Sequence, residues 1–359
     1  LLPVQKNRVF CIMTHDDGES GNVMLVVKEL EKLNIGFYFN RITKADVEAV
    51  KKLGNIINFF FIKPYQLARA KIILMDNVFL PMAYIKIRKN VKVVQLWHGT
   101  GTIKKFGQDV NTGKLKVLEK RANRNITHLI VNNEKTASLY AKAFGIGMDR
   151  VYPAGLPKTD DMLYRIWRAD KSGVNIDKNN IYSKYNIPQN KKLVLYAPTF
   201  RDNNLSSESI LSQVEELAGK LPEDYVLGLR LHPFVARLAS TKNIQRIYDF
   251  SDEKDLSALV MASDLLITDY SSIIFEYCIT EKPIIFFAYD LDEFSDKGRG
   301  FYEDYTGYVP GPVARTVEEV IYIIKEEKFA TDLIRAFNTE NFPGLDAKAT
   351  KRIIDLILK

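Results

Sequence analysis

The chain alternates short apolar runs, rich in β-branched and aromatic residues, with stretches whose apolar residues recur at helical spacing. In the first half, the pattern predicts strands at 8–14, 35–39, 72–76, 91–97 and 128–131 and helices at 21–33 and 45–53. In the second half, it predicts strands at 192–196, 225–231, 265–268 and 283–287 with helices between them. Strands that alternate with helices predict parallel sheets covered by helices, an α/β fold.

The length and the polar middle of the chain predict two Rossmann-like domains. A chain of 359 residues exceeds one ordinary core. The expected bounds are 1–155 for the first domain, 156–190 for a polar linker rich in Asn and Lys, and 191–359 for the second. The last helical pattern, 347–358, can pack back on either domain. Ligands are expected in the cleft between the domains, at the carboxyl ends of the strands.

Composition excludes several classes of protein. Hydrophobic residues make up 46% and charged residues 26% of the chain, as in soluble globular proteins. Cys11 and Cys278 both lie in apolar runs, which excludes a disulfide framework and favours a reducing, cytoplasmic compartment. No apolar run reaches the length that spans a bilayer. The net charge of +7 favours anionic partners: nucleic acid, phosphorylated substrates or an acidic membrane surface.

A histidine and two glycines follow the strand that ends near residue 97. Gly99 allows a sharp turn and close approach to a ligand, with Thr100 beside it, and His98 stands at the predicted cleft, where an imidazole can act as a base. A structural histidine that caps the turn is the alternative.

Basic side chains follow two strands of the second half. Thr199 and Arg201 come after the strand at 192–196, where a guanidinium suits a phosphate, although Arg201 can equally be an ordinary surface charge. Arg230 and His232 are two residues apart on a strand and therefore share a face, and the following proline ends that strand.

A polar turn joins the strand at 265–268 to a helix. Asp269, Ser271 and Ser272 lie in this turn, where backbone N–H groups at a helix start and two hydroxyl groups suit a phosphate. Glu276 lies one turn further and can reach ribose hydroxyls. Helix capping by a serine is the alternative interpretation.

Metal chemistry and a bound cofactor are not predicted. The segment Asp290-Leu291-Asp292 has the form of a metal-binding acidic motif, but it follows a predicted strand, and a solvated acidic turn is the preferred interpretation.

These motifs together resemble those of the CDP-glycerol glycerophosphotransferases of teichoic acid synthesis. The resemblance extends from about residue 94 to 302 and rests on these segments in order: WHGT at 97–100, KKFG at 104–107, APTFR at 197–201, LHP at 231–233, DYSS at 269–272 and RG at 299–300. It implies a GT-B-like arrangement of the two domains. It also implies transfer of glycerol phosphate from CDP-glycerol to a hydroxyl of a polyprenyl-diphosphate-linked disaccharide acceptor, with release of CMP.

That reaction suits the residues identified above. His98 is the predicted base that removes the proton of the acceptor hydroxyl. Four residues are expected to stabilise the charge of the diphosphate and of the leaving CMP. They are His232, Arg230, Ser271 and Ser272. In the absence of a metal ion, Arg201 and Arg299 are plausible additional contacts.

The family includes primases, polymerases and enzymes that transfer ribitol phosphate. The chain lacks the long extra N-terminal region of some polymerases, which favours a primase or short-chain transferase. Two other classes stay open: a GT-B glycosyltransferase or epimerase that uses a UDP-sugar, and a non-enzymatic nucleic-acid-binding protein. The aromatic residues lie mainly in apolar runs rather than among basic residues, which disfavours nucleic acid as a partner.

A basic helix is predicted at 114–124. Lys116, Lys120 and Arg124 recur at four-residue steps, with Lys114 and Arg121 beside them. A solvated surface helix is one interpretation. The other is a patch that binds anionic headgroups and places the enzyme peripherally on the cytoplasmic face of the membrane, where a lipid-linked acceptor lies.

Overall fold

Two parallel six-stranded sheets form the framework of this chain. The computed structural model describes residues 2–49, 53–199, 204–231 and 246–359. The strands are β1 (Arg8–Met13), β2 (Tyr38–Thr43), β3 (Ile72–Met75), β4 (Lys92–Gln95), β5 (His128–Ile130), β6 (Val151–Tyr152), β7 (Lys192–Ala197), β8 (Tyr225–Leu229), β9 (Ile247–Asp249), β10 (Leu265–Thr268), β11 (Ile284–Phe287) and β12 (Val313–Ala314). Their order is β2-β1-β3-β4-β5-β6 in the first sheet and β12-β11-β10-β7-β8-β9 in the second.

Helices follow most strands. They are α1 (Asn22–Lys32), α2 (Lys44–Glu48), α3 (Leu53–Ile57), α4 (Lys63–Ala68), α5 (Gly113–Asn123), α6 (Glu134–Phe144), α7 (Pro157–Ser172), α8 (Ile176–Tyr185), α9 (Asn204–Lys220), α10 (Leu256–Ala262), α11 (Ile273–Cys278), α12 (Leu291–Lys297), α13 (Tyr305–Tyr308), α14 (Val317–Lys325), α15 (Thr331–Asn341) and α16 (Ala349–Leu358). A π-helix spans Asn58–Ile62, and 3₁₀ turns span Leu80–Tyr84, Gly107–Asp109 and Met148–Arg150. No helix in these described ranges is long and apolar enough to cross a bilayer.

Strand β1 shows why the central strands are continuously apolar. Val9 and Cys11 face a core that includes α1, whereas Phe10 and Ile12 face a second core on the other side of the sheet. Alternate residues of a strand point to opposite faces, so a sheet covered on both faces by helices needs apolar side chains at every position.

The chain divides into two compact units. The first comprises Leu1–Gly101, Lys105–Asp161 and Gly344–Lys359, and the second comprises Thr102–Lys104 and Met162–Pro343. The stretch 156–190, expected as a linker, contains helices α7 and α8. Helix α16 belongs to the first unit, because its Ile353 and Ile357 pack in the same core as residues of α1.

The sequence patterns located the long strands but misplaced the second one. The expected strand at 35–39 is wrong, since β2 begins at Tyr38. Asn34 and Gly36 have φ values of 52° and 73°, which an extended strand does not allow. The three short strands β6, β9 and β12 were not predicted. The expected helix at 45–53 corresponds to α2 and the start of α3, with 50–52 outside the described residues.

Candidate functional site

Each sheet has one point at which the strand order reverses. In the first sheet β1 lies between β2 and β3, and in the second β7 lies between β8 and β10. Ligands of open parallel sheets bind beyond the carboxyl ends of the strands at such points. The loops that follow these strands are therefore the regions in which to look for a site.

A strained turn places His98 after β4. Trp97 has a φ of 53°, a conformation that costs free energy for a residue with a side chain and recurs at functional sites. Two buried side chains hold the turn. The backbone N–H of Trp97 donates to the Gln95 side-chain oxygen at 3.0 Å, and the Asn22 amide donates to the Trp97 carbonyl at 3.1 Å. The strand therefore ends abruptly, and His98 projects from a fixed turn.

The hydrogen bond of His98 determines which ring nitrogen holds its proton. Nδ1 lies 3.0 Å from the backbone carbonyl oxygen of Asp76. A carbonyl can only accept, so Nδ1 carries the proton and Nε2 keeps a lone pair. Burial, followed by the charges of His15 and Lys158, holds the pKa of His98 well below its usual range, although the Asp76 carbonyl acts in the opposite direction. His98 is therefore neutral near pH 7, the state that a general base requires.

Aromatic rings fix the plane of His98. The His15 ring stacks on it with a centroid distance of 3.6 Å and an interplanar angle of 7°. The Trp97 ring lies 4.0 Å away at 32° and itself stacks on Phe106. Contacts on ring faces leave the edge of the imidazole, with its nitrogen atoms, to make directed hydrogen bonds.

Asp76 connects the loops after β1 and β3. It is 1% exposed, and its carboxylate accepts the backbone N–H groups of Thr14 at 3.0 Å, His15 at 3.2 Å and Asp16 at 2.7 Å. Burial raises the pKa of Asp76 to about 6, against the lowering effect of these hydrogen bonds. The Asp76 carboxylate thus binds the backbone of His15, and the Asp76 backbone carbonyl binds the ring of His98.

An ion pair joins the loop after β1 to the start of α7. Lys158 Nζ lies 2.7 Å from Asp16 Oδ2, and both side chains are largely buried. Burial alone would raise the pKa of Asp16, but the Lys158 ammonium lowers it overall. The backbone N–H of Lys158 also donates to the Asn22 side chain at 3.0 Å, so Asn22 joins the start of α7 to the His98 turn.

Gly99 and Thr100 lie inside the first unit. The Gly99 carbonyl accepts from the Tyr140 hydroxyl at 3.2 Å, and Thr100 is 1% exposed. The Tyr140 hydrogen bond and the burial of Thr100 hold this part of the turn in place. Substrate binding by either residue stays a prediction.

A second buried aspartate connects β7 and β10 in the second unit. Asp269 is 1% exposed, and its Oδ1 accepts the backbone N–H groups of Thr199 at 2.8 Å and Tyr270 at 2.5 Å. Lys104, which belongs to this unit, directs its Nζ to the Thr199 hydroxyl at 3.5 Å. A hydroxyl, an ammonium and a tightly held turn thus come together at the point where the strand order reverses.

The serine pair lies at the start of α11. Ser271 and Ser272 are both partly buried, and the Ser271 hydroxyl accepts the backbone N–H of Ile273 at 3.4 Å. Ser272 immediately precedes the helix without capping it by its side chain. Glu276 is only 6% exposed and lies on the buried part of α11. Their predicted phosphate and ribose contacts stay predictions.

The acidic motif at 290–292 takes part in ordinary structural contacts. Asp290 accepts from the Tyr270 hydroxyl at 2.9 Å, while the exposed Asp292 lies 3.5 Å from Arg315. Among the described residues, no group of three or more His, Cys, Asp or Glu side chains is arranged to hold a metal ion.

Of the four cationic residues predicted for the donor site, the structure describes two. Arg230 follows β8, and its guanidinium donates to the carbonyl oxygens of Phe250 at 3.2 Å and Glu253 at 2.6 Å. Arg299 is exposed beyond the end of α12. Arg201 and His232 lie outside the described residues.

Several residues of these regions were missed from the sequence. Asp76, Asn22 and Lys158 support the His98 turn, but none belongs to a motif that sequence analysis singled out. One signal was present: Asp76 directly follows the apolar run 72–75, just as Asp269 follows 265–268. An aspartate after a buried parallel strand is a candidate for binding the neighbouring loop.

Two parallel sheets, each with polar loops at its reversal point, define a protein of two Rossmann-like domains in the GT-B-like class, which confirms the predicted fold class. A solved variant of the wall teichoic acid polymerase TagF matches with a TM-score of 0.81 and 26% identity, covering 99% of this chain and 89% of that one.

The chain belongs to the CDP-Glycerol:Poly(glycerophosphate) glycerophosphotransferase family, whose model matches residues 1–359. It is 36% identical over 365 residues to the teichoic acid poly(ribitol-phosphate) polymerase of Bacillus spizizenii strain W23, covering 100% of this chain and 57% of that protein. It is 35% identical over 303 residues to the teichoic acid glycerol-phosphate primase of Bacillus subtilis strain 168, covering 82% of this chain and 74% of that protein. The resemblance found in the sequence motifs is thereby confirmed.

Proposed function

We propose that this chain is a transferase that moves glycerol phosphate from CDP-glycerol to a hydroxyl of a teichoic acid precursor linked to polyprenyl diphosphate. The main support is the geometry of His98. Its Nδ1 donates to the Asp76 carbonyl, so its Nε2 can accept a proton. Membership of the family favours this reaction over UDP-sugar chemistry and over nucleic-acid binding.

The proposed reaction is a single displacement at phosphorus. The acceptor oxygen attacks the β-phosphorus of CDP-glycerol, its proton passes to His98 Nε2, and the bond from phosphorus to the CMP oxygen breaks. A base that is neutral near pH 7 typically contributes two to four orders of magnitude to such a step. The remaining requirement is stabilisation of the negative charge on the transferred group and on CMP.

We assign that stabilisation to the second unit. Ser271, Ser272 and the backbone N–H groups beside them are proposed to contact the diphosphate, with Thr199 and Lys104 at the end of β7. Arg230, Arg299 and Glu276 keep the donor-site roles predicted from the sequence, and Asp269 holds the turn. The roles of His232 and Arg201 rest on their sequence motifs alone.

Ribitol phosphate is the second candidate for the transferred group. The poly(ribitol-phosphate) polymerase and the glycerol-phosphate primase are 36% and 35% identical to this chain. Both groups are alditol phosphates and would make the same diphosphate contacts. The choice between them depends on contacts to the alditol hydroxyls.

The basic helix α5 is proposed to attach the protein to an anionic membrane surface. Its buried residues include Glu119 and Ala122. Its basic side chains are exposed: Lys114, Lys116, Lys120, Arg121 and Arg124. Three apolar neighbours are also exposed, namely Leu115 at 48%, Val117 at 69% and Tyr84 at 71%. Cations interleaved with exposed apolar groups suit the interfacial region of a bilayer, and we place the protein peripherally on its cytoplasmic face.

Product analysis tests the proposed function. The purified chain is incubated with CDP-glycerol, CDP-ribitol or UDP-sugars and a lipid-linked disaccharide analogue, and nucleotide release and product mass are measured. CMP release with a product one or more glycerol phosphates heavier is expected, and the number of added units separates primase from polymerase. Reaction with CDP-ribitol alone would reassign the donor, and reaction only with UDP-sugars would overturn the proposal.

A further inference from the structure

Gln95, at the end of β4, is a fully buried amide that uses both of its polar atoms. Its Oε1 accepts the backbone N–H of Trp97 at 3.0 Å, and its Nε2 donates to the backbone carbonyl of Asn77 at 3.1 Å. One partner can only donate and the other can only accept, so the orientation of the amide is unambiguous. Loss of either bond would leave a buried polar group unsatisfied, which costs free energy.

The Gln95 side chain continues the connection between β3 and β4 beyond their paired residues. Met75 pairs with Gln95, and the N–H of Leu96 donates to the Met75 carbonyl at 2.8 Å. The N–H of Asp76 then donates to β1 instead. From this point, the Gln95 amide joins the chain that follows β3 to the chain that follows β4.

The two partners of Gln95 flank the hydrogen bond that fixes His98. Asn77 follows Asp76, whose carbonyl accepts from His98 Nδ1 at 3.0 Å, and Trp97 precedes His98. The amide therefore ties the backbone of the imidazole to the backbone of its acceptor. Because a carbonyl can only accept, the bond from His98 keeps the proton on Nδ1 and the lone pair on Nε2.

The backbone of Trp97 explains why this turn needs such support. Its φ of 53° is unfavourable for a residue with a side chain, and such conformations persist only where the surroundings hold them in several ways. Gln95 holds the Trp97 N–H, and the Asn22 amide holds the Trp97 carbonyl at 3.1 Å. Without the Gln95 bond, the peptide can relax towards an ordinary conformation, which would turn the Cα–Cβ bond of His98 away from Asp76.

We propose that Gln95 is a positioning residue for His98: its amide holds the imidazole against the Asp76 carbonyl and so keeps the lone pair on Nε2. The part that this plays in catalysis rests on the proposed function. The choice of tautomer does not, because it follows from the hydrogen bonds of Gln95 and His98 alone.

The tautomer of His98 gives a direct test, because the chain contains only four histidines. Protein labelled with ¹⁵N at histidine is measured by long-range ¹H–¹⁵N NMR correlation at pH 8, with His98→Asn assigning the signals. Gln95→Met keeps the length of the side chain and removes its N–H donor and strong acceptor. Gln108→Met is the matched control, since Gln108 is also buried and its amide donates to the Lys116 carbonyl at 3.1 Å.

The expected spectra separate positioning from general support of the fold. His98 shows only the Nδ1–H tautomer in the parent and in Gln108→Met. In Gln95→Met the Nε2–H tautomer becomes populated, which moves the shifts of the two ring nitrogens towards each other. An unchanged His98 tautomer in folded Gln95→Met overturns the proposal. If that variant fails to fold, Gln95→Glu replaces it: its carboxylate still accepts the Trp97 N–H but cannot donate to Asn77, and the same change is expected.

Kinetics provide the second readout. In Gln95→Met, kcat is expected to fall by about tenfold or more, the effect of a misplaced reacting group, while KM for the donor stays at the parent value. Gln108→Met keeps both constants. A change of tautomer without loss of kcat would overturn the catalytic part. If the parent reacts with no CDP-alditol, the proposed function fails, yet the NMR comparison still decides whether Gln95 sets the tautomer of His98.

Discussion

Asp76 and Asp269 occupy equivalent positions in the two units. Each directly follows a strand that lies beside the strand earliest in the chain in its sheet, and each is 1% exposed. In the loop after that earliest strand, the Asp76 carboxylate accepts three backbone N–H groups and the Asp269 carboxylate accepts one, from Thr199. The same device therefore joins two loops at both reversal points. One loop pair carries His15 and the Asp76 carbonyl that binds the His98 ring, and the other carries Thr199 and the turn before Ser271.

Loss of the Asp76 carboxylate is expected to destabilise the first unit. Asp76→Ala leaves three backbone N–H groups without their acceptor, at a cost of about 1–3 kcal/mol. The chain has two tryptophans, Trp97 in the first unit and Trp167 in the second, so a Trp167→Phe background makes fluorescence report the first unit alone. Urea unfolding followed at Trp97 measures the change.

The matched control is Glu31→Ala, which removes an exposed acid from α1. Its free energy of unfolding is expected to stay within about 0.5 kcal/mol of the parent. Equal stability of the Asp76 and Glu31 variants would contradict the role assigned to the buried carboxylate.

Removal of the His98 imidazole is expected to abolish proton transfer while preserving donor binding. His98→Ala should lower kcat by roughly two to four orders of magnitude, the range typical of general-base loss. Calorimetric titration with CDP-glycerol should give nearly the parent affinity. His128→Gln serves as the control, and turnover of a folded His98→Ala protein at the control's rate would remove His98 from the mechanism.

The serine pair is expected to act on the donor. Ser271→Ala combined with Ser272→Ala should weaken CDP binding by tenfold or more, because hydrogen bonds to a charged group typically contribute about 1.5–3 kcal/mol each. Ser183→Ala removes an exposed hydroxyl from α8 and should leave the affinity unchanged. If the double variant matches this control in both affinity and turnover, the diphosphate lies elsewhere.

Membrane attachment is expected to depend on the basic face of α5. The protein should sediment with anionic vesicles at low salt and be released as ionic strength rises, since each basic residue contributes roughly 1 kcal/mol near such a surface. Lys116→Glu with Lys120→Glu should abolish sedimentation and spare activity on a soluble acceptor analogue. Lys32→Glu with Lys351→Glu makes the same charge change at two other exposed positions and should sediment normally. Equal sedimentation of both double variants would exclude α5.

His128 is expected to make the first unit sensitive to acid. Burial, aided by the charge of Lys92, lowers the pKa of His128 to about 4 from a usual value of 6.5. Between pH 6.5 and about 4, the unfolded chain therefore binds a proton at His128 that the folded protein does not bind. The free energy of unfolding is expected to fall as the pH drops through this window. His128→Gln should show a shallower decline over this window than the parent, when unfolding is measured at several pH values. Parallel curves would contradict the assignment.

Local sequence determined the type of fold. Continuous apolar runs such as 9–13 and 72–75 require a sheet buried on both faces, and the helical spacing between them supplies the covering layers. The positions of the elements were predicted less well than their type. Strand β2 starts at Tyr38, because the left-handed backbone at Asn34 and Gly36 does not allow an extended strand there. The two-residue strands β6 and β12 carry too few residues to show a pattern.

The motifs also identified the family and singled out His98 and the serine pair, because each lies directly after a recognisable strand. The contacts that hold His98 could not be read from the motifs and follow from the assembled fold. Its Nδ1 partner is 22 residues away, its stacked neighbour His15 is in the loop after β1, and the Asn22 amide reaches its turn from α1. Such contacts depend on the order in which parallel strands assemble, and β1, β3 and β4 are separated along the chain by helices. Residue spacing therefore indicates which side chains reach the strand ends, while strand order determines which of them meet.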